Sequence, residues 1–415
     1  MTEAFSLLFA AALLLTLSLK LWLGARHIRH IARHRRQVPE AFRDAITLEA
    51  HQRAADYTIA KTRLGLLSAW LDTAVIAALT FGGGLQWLAL QTMALSGQPL
   101  LAGMALVSAV AVISGAVSLP LSLYGTFGVE ARYGFNKTTI GLFIADQLKG
   151  MALGAVIGLP LLALVLWLME ISGPLWWLWV WLVWSGFQLL MVALYPTLIA
   201  PLFNKFKPLE DQALQRRIEA LLDRAGFKSQ GVFVMDGSRR SSHGNAYFTG
   251  FGSAKRIVFF DTLLTQLSHA EIEAVLAHEL GHFKRRHIVK RIAFAFALSL
   301  GFLFLLGQLM HAPWFYAGMG VTLPSTAMAL ILFFTAVPAF AFPLTPLSSM
   351  LSRRHEYEAD AFAAAETEAG ELIQALVKLY RDNASTLTPD PLHSAFYDSH
   401  PPAALRIQHL KGQHS

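Results

Sequence analysis

The pentapeptide at residues 278–282, His-Glu-Leu-Gly-His, combines the residue types that bind and use a catalytic metal. Residues four apart share one face of a helix, so His278 and His282 can direct two imidazole rings at one ion. Glu279 follows the first histidine, where its carboxylate can take a proton from a water at that ion. The pentapeptide therefore predicts a hydrolytic site with one zinc ion (Zn2+) per chain.

A hydrolytic zinc site generally has three protein ligands and one position open to water. The chain contains no cysteine, so every ligand must be a nitrogen or an oxygen atom. Position 288 is Ile288, which excludes the extended motif with a third histidine six residues after the second. A carboxylate from another helix is therefore the expected third ligand.

The segment 352–360, Ser-Arg-Arg-His-Glu-Tyr-Glu-Ala-Asp, is the best source of that carboxylate. Glu356 is the candidate metal ligand, and Asp360, one turn later on the same face, can hold the free ring nitrogen of a metal-bound histidine. Glu358 should point away from this face. His355 remains an alternative ligand at this stage.

The elements that must position these residues belong to a membrane protein. Hydrophobic residues make up 54% of the 415 positions and charged residues only 15%, a balance typical of polytopic membrane proteins rather than soluble enzymes. Seven apolar runs are long enough to span a bilayer. They lie near 4–23, 65–95, 101–125, 150–170, 175–200, 292–311 and 325–347.

The positive charges predict how these spans are oriented. Of the 34 Lys and Arg residues, all except Lys20 lie in segments 24–64, 126–149, 201–291 and 348–415. The loops that join the opposite ends of the spans contain no Lys or Arg. The positive-inside rule then places the N-terminus outside and the C-terminus in the cytoplasm. The basic residues are thus interpreted as topology signals rather than as a nucleic-acid surface, and we expect no nucleic-acid partner.

Two cytoplasmic segments have the pattern of folded structure. In segment 201–291 an amphipathic helix over about 214–225 is followed by strand-like runs at 231–235, 245–249 and 256–260. Ser268 and Glu271 form a capping-box pattern, so the helix with the zinc motif should begin near 269. No glycine or proline follows the motif before the sixth span, and a continuous helix into the membrane is expected. Glycines 82–84 should allow close packing within the second span.

These patterns divide the chain into four parts. Residues 1–200 form the first five spans with their loops, and 201–291 form a catalytic region with the zinc-motif helix. Residues 292–347 form a membrane hairpin of spans six and seven, which returns the chain to the same side. Residues 348–415 form a second catalytic region with the third ligand.

Several sequence blocks resemble the type I CAAX prenyl proteases, which are integral-membrane zinc metallopeptidases. Besides the zinc motif and 352–360, the similar blocks are 130–139 (EARYGFNKTT), 199–206 (IAPLFNKF), 237–248 (GSRRSSHGNAYF), 255–264 (KRIVFFDTLL) and 399–402 (SHPP). The family's fold implies a mainly α, polytopic membrane protein with seven transmembrane helices around a large water-filled chamber. A small α+β zincin-like catalytic region would close its cytoplasmic end.

The resemblance also implies roles for individual residues. It implies His278, His282 and Glu356 as zinc ligands, Glu279 as the catalytic base and Asp360 as the partner of a metal-bound histidine. It further implies that Asn245 contacts the substrate backbone and that His400 and Arg406 position the substrate or stabilise the oxyanion.

The expected function is a membrane-embedded zinc metalloendopeptidase that hydrolyses peptides or proteins, with lipidated substrates as one class. Compact loops favour a bacterial member in the inner membrane; a eukaryotic member would lie in the endoplasmic reticulum membrane. One alternative is a quality-control protease for membrane proteins that has no prenyl requirement. An intramembrane protease is less favoured, because residues 278–287 are polar and basic. A non-hydrolytic transporter or scaffold is the alternative from another class.

Overall fold

The structure is a computed structural model, and it describes residues 1–249 and 255–412. Seven helical stretches in these residues are long and apolar enough to cross a membrane, as predicted. They are Thr2–His34, Leu48–Leu79, Pro99–Glu130, Ile140–Ile171, Gly173–Phe203, His287–Leu309 and Thr326–Glu366.

The first two spans are α1 (Thr2–His34) and α2 (Leu48–Leu79), and a shorter helix, α3 (Gly84–Leu95), follows. The next three spans consist of α4 (Pro99–Leu123) with a π-helical turn to Glu130, α5 (Ile140–Ile171), and α6 (Trp176–Leu194) with α7 (Ala200–Phe203). The last two contain α11 (His287–Leu309) and α13 (Thr326–Ala341) with α14 (Thr345–Glu366), and the short α12 (Pro313–Ala317) lies between them.

The glycines at 82–84 end a helix, and the prediction that they lie inside the second span was wrong. The second span ends at Leu79, and Gly83 has a φ of 76° immediately before α3. A Cβ atom on Gly82 would lie 2.5 Å from the carbonyl oxygen of Ala78. Glycine is required here because the chain reverses through a left-handed residue and a close backbone contact.

The membrane half of the molecule is packed around the seventh span. In the most apolar 18 residues of this span, 50% of the residues are buried. In the corresponding 18 residues of Ile140–Ile171, only 6% are buried. Met328, Leu332 and Phe333 of α13 are at most 2% exposed and belong to one cluster with Phe9 of α1. Only a few residues of α5, including Leu166 and Met169, are buried, and most of its surface is exposed in the structure.

A four-stranded sheet forms the centre of the predicted catalytic region. Its strands are β1 (Phe206–Pro208), β2 (Val232–Met235), β3 (Ala246–Thr249) and β4 (Arg256–Phe260), in the order β1-β2-β4-β3. Strands β2 and β4 are parallel, and the pairs β1–β2 and β3–β4 are antiparallel. The three predicted strands are confirmed and β1 was missed. Strand β3 is an edge of this described sheet.

Helices cover the sheet and complete this region. They are α8 (Gln212–Arg224), α9 (Asp261–Gln266), α10 (His269–Lys284), α15 (Ala369–Asp382), α16 (Pro391–Tyr397) and α17 (Ala403–Gly412). The predicted amphipathic helix is α8, which buries Ile218 and Leu221 against Phe259 of β4 and Ile272 of α10. Their burial is a main source of stability for this region, because each fully buried aliphatic or aromatic side chain contributes about 1.5–3 kcal/mol.

The zinc-motif helix α10 begins where the sequence predicts but ends earlier. At its start, the Ser268 side chain accepts a hydrogen bond from the Glu271 amide, and the Glu271 carboxylate accepts one from the Ser268 amide. At its end, Arg286 has a φ of 55° and separates α10 from α11. The prediction of a continuous helix into the sixth span was therefore wrong, because a non-glycine residue takes up the left-handed conformation that glycine usually supplies.

The loops at one end of the spans hold the catalytic region. Arg240 donates a bidentate hydrogen bond to Asp146 near the start of α5, with both contacts between 2.8 and 2.9 Å. Arg26 of α1 donates to Asp390, which caps α16, at 2.9 Å. These ion pairs place the basic ends of the spans and the catalytic region on the same side of the membrane helices.

Candidate metal centre

The candidate centre lies between α10 and α14, and a glycine lets these two helices approach closely. A Cβ atom on Gly281 would lie 2.9 Å from the Cα atom and 3.0 Å from the carbonyl oxygen of Ala359. Both of these are backbone atoms that cannot rotate away. Gly281 therefore allows the histidines of α10 to meet the carboxylates of α14.

His278, His282 and Glu356 come together at this contact. The Nε2 atom of His278 lies 3.4 Å from Oε2 of Glu356, and the Nε2 atom of His282 lies 3.2 Å from Oε1. The two Nε2 atoms are 3.3 Å apart. One atom from each residue lies within 4.8 Å of the others, so the three can bind one ion.

The chemistry of this group fits a cation. The Oε2 atom of Glu356 is buried and accepts no hydrogen bond from the described residues. A buried carboxylate oxygen without a donor is costly unless a cation or water compensates it. Two imidazoles and one carboxylate, with no sulfur atom, also form a ligand set that zinc uses in hydrolytic sites.

Asp360 and Arg406 support the first histidine from behind. The Nδ1 atom of His278 lies 2.8 Å from Oδ1 of Asp360, which directs Nε2 towards Glu356. Arg406 donates to both carboxylate oxygens of Asp360, with Nε 2.8 Å from Oδ2. Its Nη1 atom is 3.9 Å from Oε2 of Glu356. One guanidinium thus faces two carboxylates, and the buried cluster retains a net negative charge that attracts a cation.

The pKa of His278 reflects this negative charge. Burial alone would lower the pKa of His278, but the carboxylates of Asp360 and Glu356 raise it overall. The imidazole is therefore placed in a field that favours positive charge. A divalent cation at Nε2 would benefit from the same field.

Glu279 is half-buried beside the ligands and makes no hydrogen bond or ion pair with the residues that the structure describes. Glu279 is the residue after His278 in helix α10. A free carboxylate at this position can accept a proton, because no guanidinium or ammonium group competes for its oxygens.

His400 lies beside the candidate ligand Glu356, whereas Asn245 is an exposed residue at the start of the sheet edge. The Nε2 atom of His400 is 3.5 Å from Oε1 of Glu356, and its Nδ1 atom is 2.9 Å from the Ser399 hydroxyl. The His400 side chain is 62% exposed, so a substrate can reach it. Asn245 precedes the edge strand β3, and its Oδ1 atom accepts a hydrogen bond from the Ala246 amide at 2.8 Å. The Asn245 side chain is exposed and does not contact the three candidate ligands.

Two other residues of the predicted region face away from the three candidate ligands. His355 is buried, but it is not part of the group that can bind one ion, and its ring stacks on His287 at 4.0 Å. Glu358 contacts His287 at 3.1 Å, on a different face of α14 from Glu356. Sequence reasoning did not single out His287. Its position nine residues after His278, within the same polar run, was the available signal.

Comparisons with known proteins agree with this architecture. The family model described as CAAX prenyl protease N-terminal, five membrane helices, matches residues 27–205, and the model of peptidase family M48 matches residues 208–414. The CAAX prenyl protease 1 homolog of Arabidopsis thaliana is 36% identical over 390 residues, which cover 91% of each chain. The chain belongs to the CAAX prenyl protease 1 family of M48 peptidases.

Further relatives extend this result to the whole fold. CAAX prenyl protease 1 of Saccharomyces cerevisiae is 40% identical over 319 residues, which cover 72% of this chain and 69% of the yeast protein. The crystal structure of S. mikatae Ste24p superimposes with a TM-score of 0.90 at 32% identity and covers 98% of both chains. The molecule is therefore a multi-pass membrane metallopeptidase with a Ste24p-like fold that surrounds a membrane chamber.

Proposed function

We propose that His278, His282 and Glu356 bind one zinc ion and that the centre hydrolyses peptide bonds with Glu279 as the catalytic base. The observation that carries this proposal is the convergence of both Nε2 atoms on the Glu356 carboxylate, one oxygen of which is buried without a hydrogen bond from the described residues. The metal, when bound, lowers the pKa of water and polarises the scissile carbonyl.

The chain's own residues supply the proton transfers. The Glu279 carboxylate accepts a proton from the attacking water and returns it to the leaving amine. The Nε2 atom of His400, which lies beside Glu356, donates a hydrogen bond to the oxygen of the scissile carbonyl as charge develops there. Asp360 holds the imidazole of His278, and Arg406 in turn holds Asp360.

We propose that the substrate binds as an extended segment along β3. Among residues 1–249 and 255–412, no strand pairs with the outer side of β3, and β3 packs against α10, which contains the zinc motif. An added strand is a common mode of peptide recognition because backbone hydrogen bonds do not depend on side-chain identity. The exposed amide group of Asn245 is positioned at the start of this edge to contact the substrate backbone.

The membrane and the substrate class are further parts of the proposal. The basic ends of the spans and the catalytic region share one side, which the positive-inside rule assigns to the cytoplasm. We therefore propose that the N-terminus lies outside and that the membrane is a bacterial inner membrane or, for a eukaryotic source, the endoplasmic reticulum membrane. The relatives are named CAAX prenyl proteases. We therefore propose that lipidated or membrane-associated peptides are the substrates of this chain.

One experiment tests the reaction and separates the substrate classes. The purified protein is incubated with matched prenylated and unprenylated peptides, with and without a metal chelator, and the products are identified by mass spectrometry. We expect zinc-dependent cleavage that Glu279→Gln abolishes while one equivalent of zinc remains bound. Retained turnover in this variant would remove Glu279 as the base. Equal cleavage of both peptides would favour the quality-control alternative. Cleavage of neither peptide, together with ion flux in a separate vesicle assay, would favour a transporter.

A further inference from the structure

His287 is the first residue of α11 and lies directly behind the second candidate ligand. Its Nδ1 atom is 3.1 Å from Nδ1 of His282, and its Nε2 atom is 3.1 Å from Oε2 of Glu358. The His287 side chain is only 1% exposed. A buried imidazole therefore connects the outer nitrogen of His282 to a carboxylate.

The proton positions in this chain of groups follow from the proposed ligand atom. If Nε2 of His282 is the atom that binds the metal, its proton is on Nδ1 and is donated to Nδ1 of His287. The proton of His287 is then on Nε2 and is donated to Glu358. The second oxygen of Glu358 lies 3.3 Å from Nε of Arg354, so the carboxylate is held at both oxygens.

The break between α10 and α11 makes this contact possible. In a continuous α-helix, residues five apart are separated by about 140° around the axis, so the two side chains would lie on different faces. Arg286 adopts a φ of 55°, and α11 restarts in a new direction with His287 turned back towards His282. On α14, His355 stacks on the His287 ring with planes 13° apart, which fixes the plane of that ring.

We propose that His287 and Glu358 form a positioning relay that orients His282 and thereby sets the metal affinity of the centre. His278 receives the equivalent support directly from Asp360. His282 receives it through an intervening histidine. Such outer partners fix the tautomer and the direction of a metal-binding imidazole, and their loss generally weakens metal binding by about 10–100-fold. This inference rests on the proposed function of the two histidines as zinc ligands.

The test compares substitutions that keep the packing and change only the hydrogen bonds. His287→Phe retains a ring against His355 but leaves the Nδ1–H group of His282 without an acceptor. His287→Asn retains an acceptor, because its Oδ1 atom occupies the place of the imidazole Nδ1. His355→Phe is the matched control, since it keeps a ring stacked on His287 and removes no hydrogen bond of the proposed relay. Glu358→Ala removes the far end of the relay.

The measured quantity is the dissociation constant for zinc of the full-length protein in detergent, determined by competition with a chromophoric chelator. We expect the constant to rise about 10–100-fold for His287→Phe, less for His287→Asn and Glu358→Ala, and less than about twofold for His355→Phe. The visible absorption of the cobalt-substituted protein should also change in His287→Phe and not in the control. Melting temperatures of the metal-free proteins confirm that each variant is folded.

The outcomes distinguish a failure of the proposed relay from a failure of the proposed zinc ligands. A wild-type protein that binds no zinc at this centre, or that binds it equally after His278→Ala, would refute the proposed ligands. A wild-type protein that binds one zinc ion, with an affinity and a cobalt spectrum that His287→Phe leaves unchanged, would refute the relay alone. An equal loss in His287→Phe and His355→Phe would likewise refute it, since packing would then explain the effect.

Discussion

Replacement of Gly281 by alanine is expected to disrupt metal binding more than folding. The added Cβ atom would lie 2.9 Å from the Cα atom of Ala359 and 3.1 Å from the Cβ atom of Phe362. Non-bonded carbon atoms are optimally about 3.5–4.0 Å apart. Helices α10 and α14 would therefore have to separate by roughly 0.6–1 Å, because the blocking atoms include backbone.

The consequences for stability and for the metal centre differ in size. Overpacking generally costs about 1–3 kcal/mol, whereas glycine to alanine inside a helix contributes about 1 kcal/mol of stabilisation, so the net loss should be at most about 2 kcal/mol. Metal–ligand distances tolerate only about 0.2 Å of change. Glu356 moves with α14, away from both histidines. We therefore expect zinc affinity to fall at least about tenfold and kcat/KM to fall about 100-fold.

The assay measures zinc affinity by chelator competition, peptide cleavage and the melting temperature of Gly281→Ala. Gly370→Ala is the matched control, because Gly370 lies in α15 with no atom within 4 Å of an added Cβ. The control should keep wild-type activity and zinc affinity. Normal zinc affinity and cleavage in Gly281→Ala would show that the approach of α10 to α14 does not depend on this glycine.

Three further predictions concern the buried charges and the metal. Burial alone would raise the pKa of Glu271, but the ammonium group of Lys378 and the Ser268 amide lower it overall. The ionised Glu271 carboxylate therefore stabilises the fold above about pH 4, and this stabilisation is lost as the pH falls through the lowered pKa. Glu271→Gln should thus reduce stability by about 2 kcal/mol at pH 7. The melting temperatures of the variant and the wild type should stay apart down to about pH 4 and converge only as the medium is acidified further, through the lowered pKa of Glu271. Arg406→Lys should lower kcat/KM at least about tenfold, because one ammonium group cannot replace the bidentate contact to Asp360; unchanged kinetics would contradict this reading. Removal of metal with a chelator should abolish cleavage and lower the melting temperature, and added zinc should restore both; a chelator-resistant activity would argue against a metal-dependent reaction.

The sequence by itself determined the features that depend on neighbouring residues. Apolar runs of about 20 residues predict spans because the length of a span is set by the bilayer, and all seven were found. The start of α10 was predicted because Ser268 and Glu271 bond within one turn. The spacing of His278 and His282 likewise placed both rings on one face, since the period of a helix is a local property.

Sequence similarity added what spacing alone left open. Spacing favoured Glu356 and Asp360 but did not exclude His355, and it offered no reason to single out Arg406. The structure places Arg406 against Asp360 and His355 against His287. These contacts join segments that are far apart in the chain, so no local pattern of residue types predicts them.

Only the tertiary structure decided how the helices meet. The close contact of Gly281 with Ala359 joins residues 78 positions apart. The sequence motif alone does not predict this contact, because glycine within it indicates only a low helix propensity. The left-handed Arg286 ends α10 although no glycine or proline marks the boundary, and it turns His287 back towards His282. Packing between distant helices overrides local propensity at both positions, and it is this packing that assembles the candidate centre.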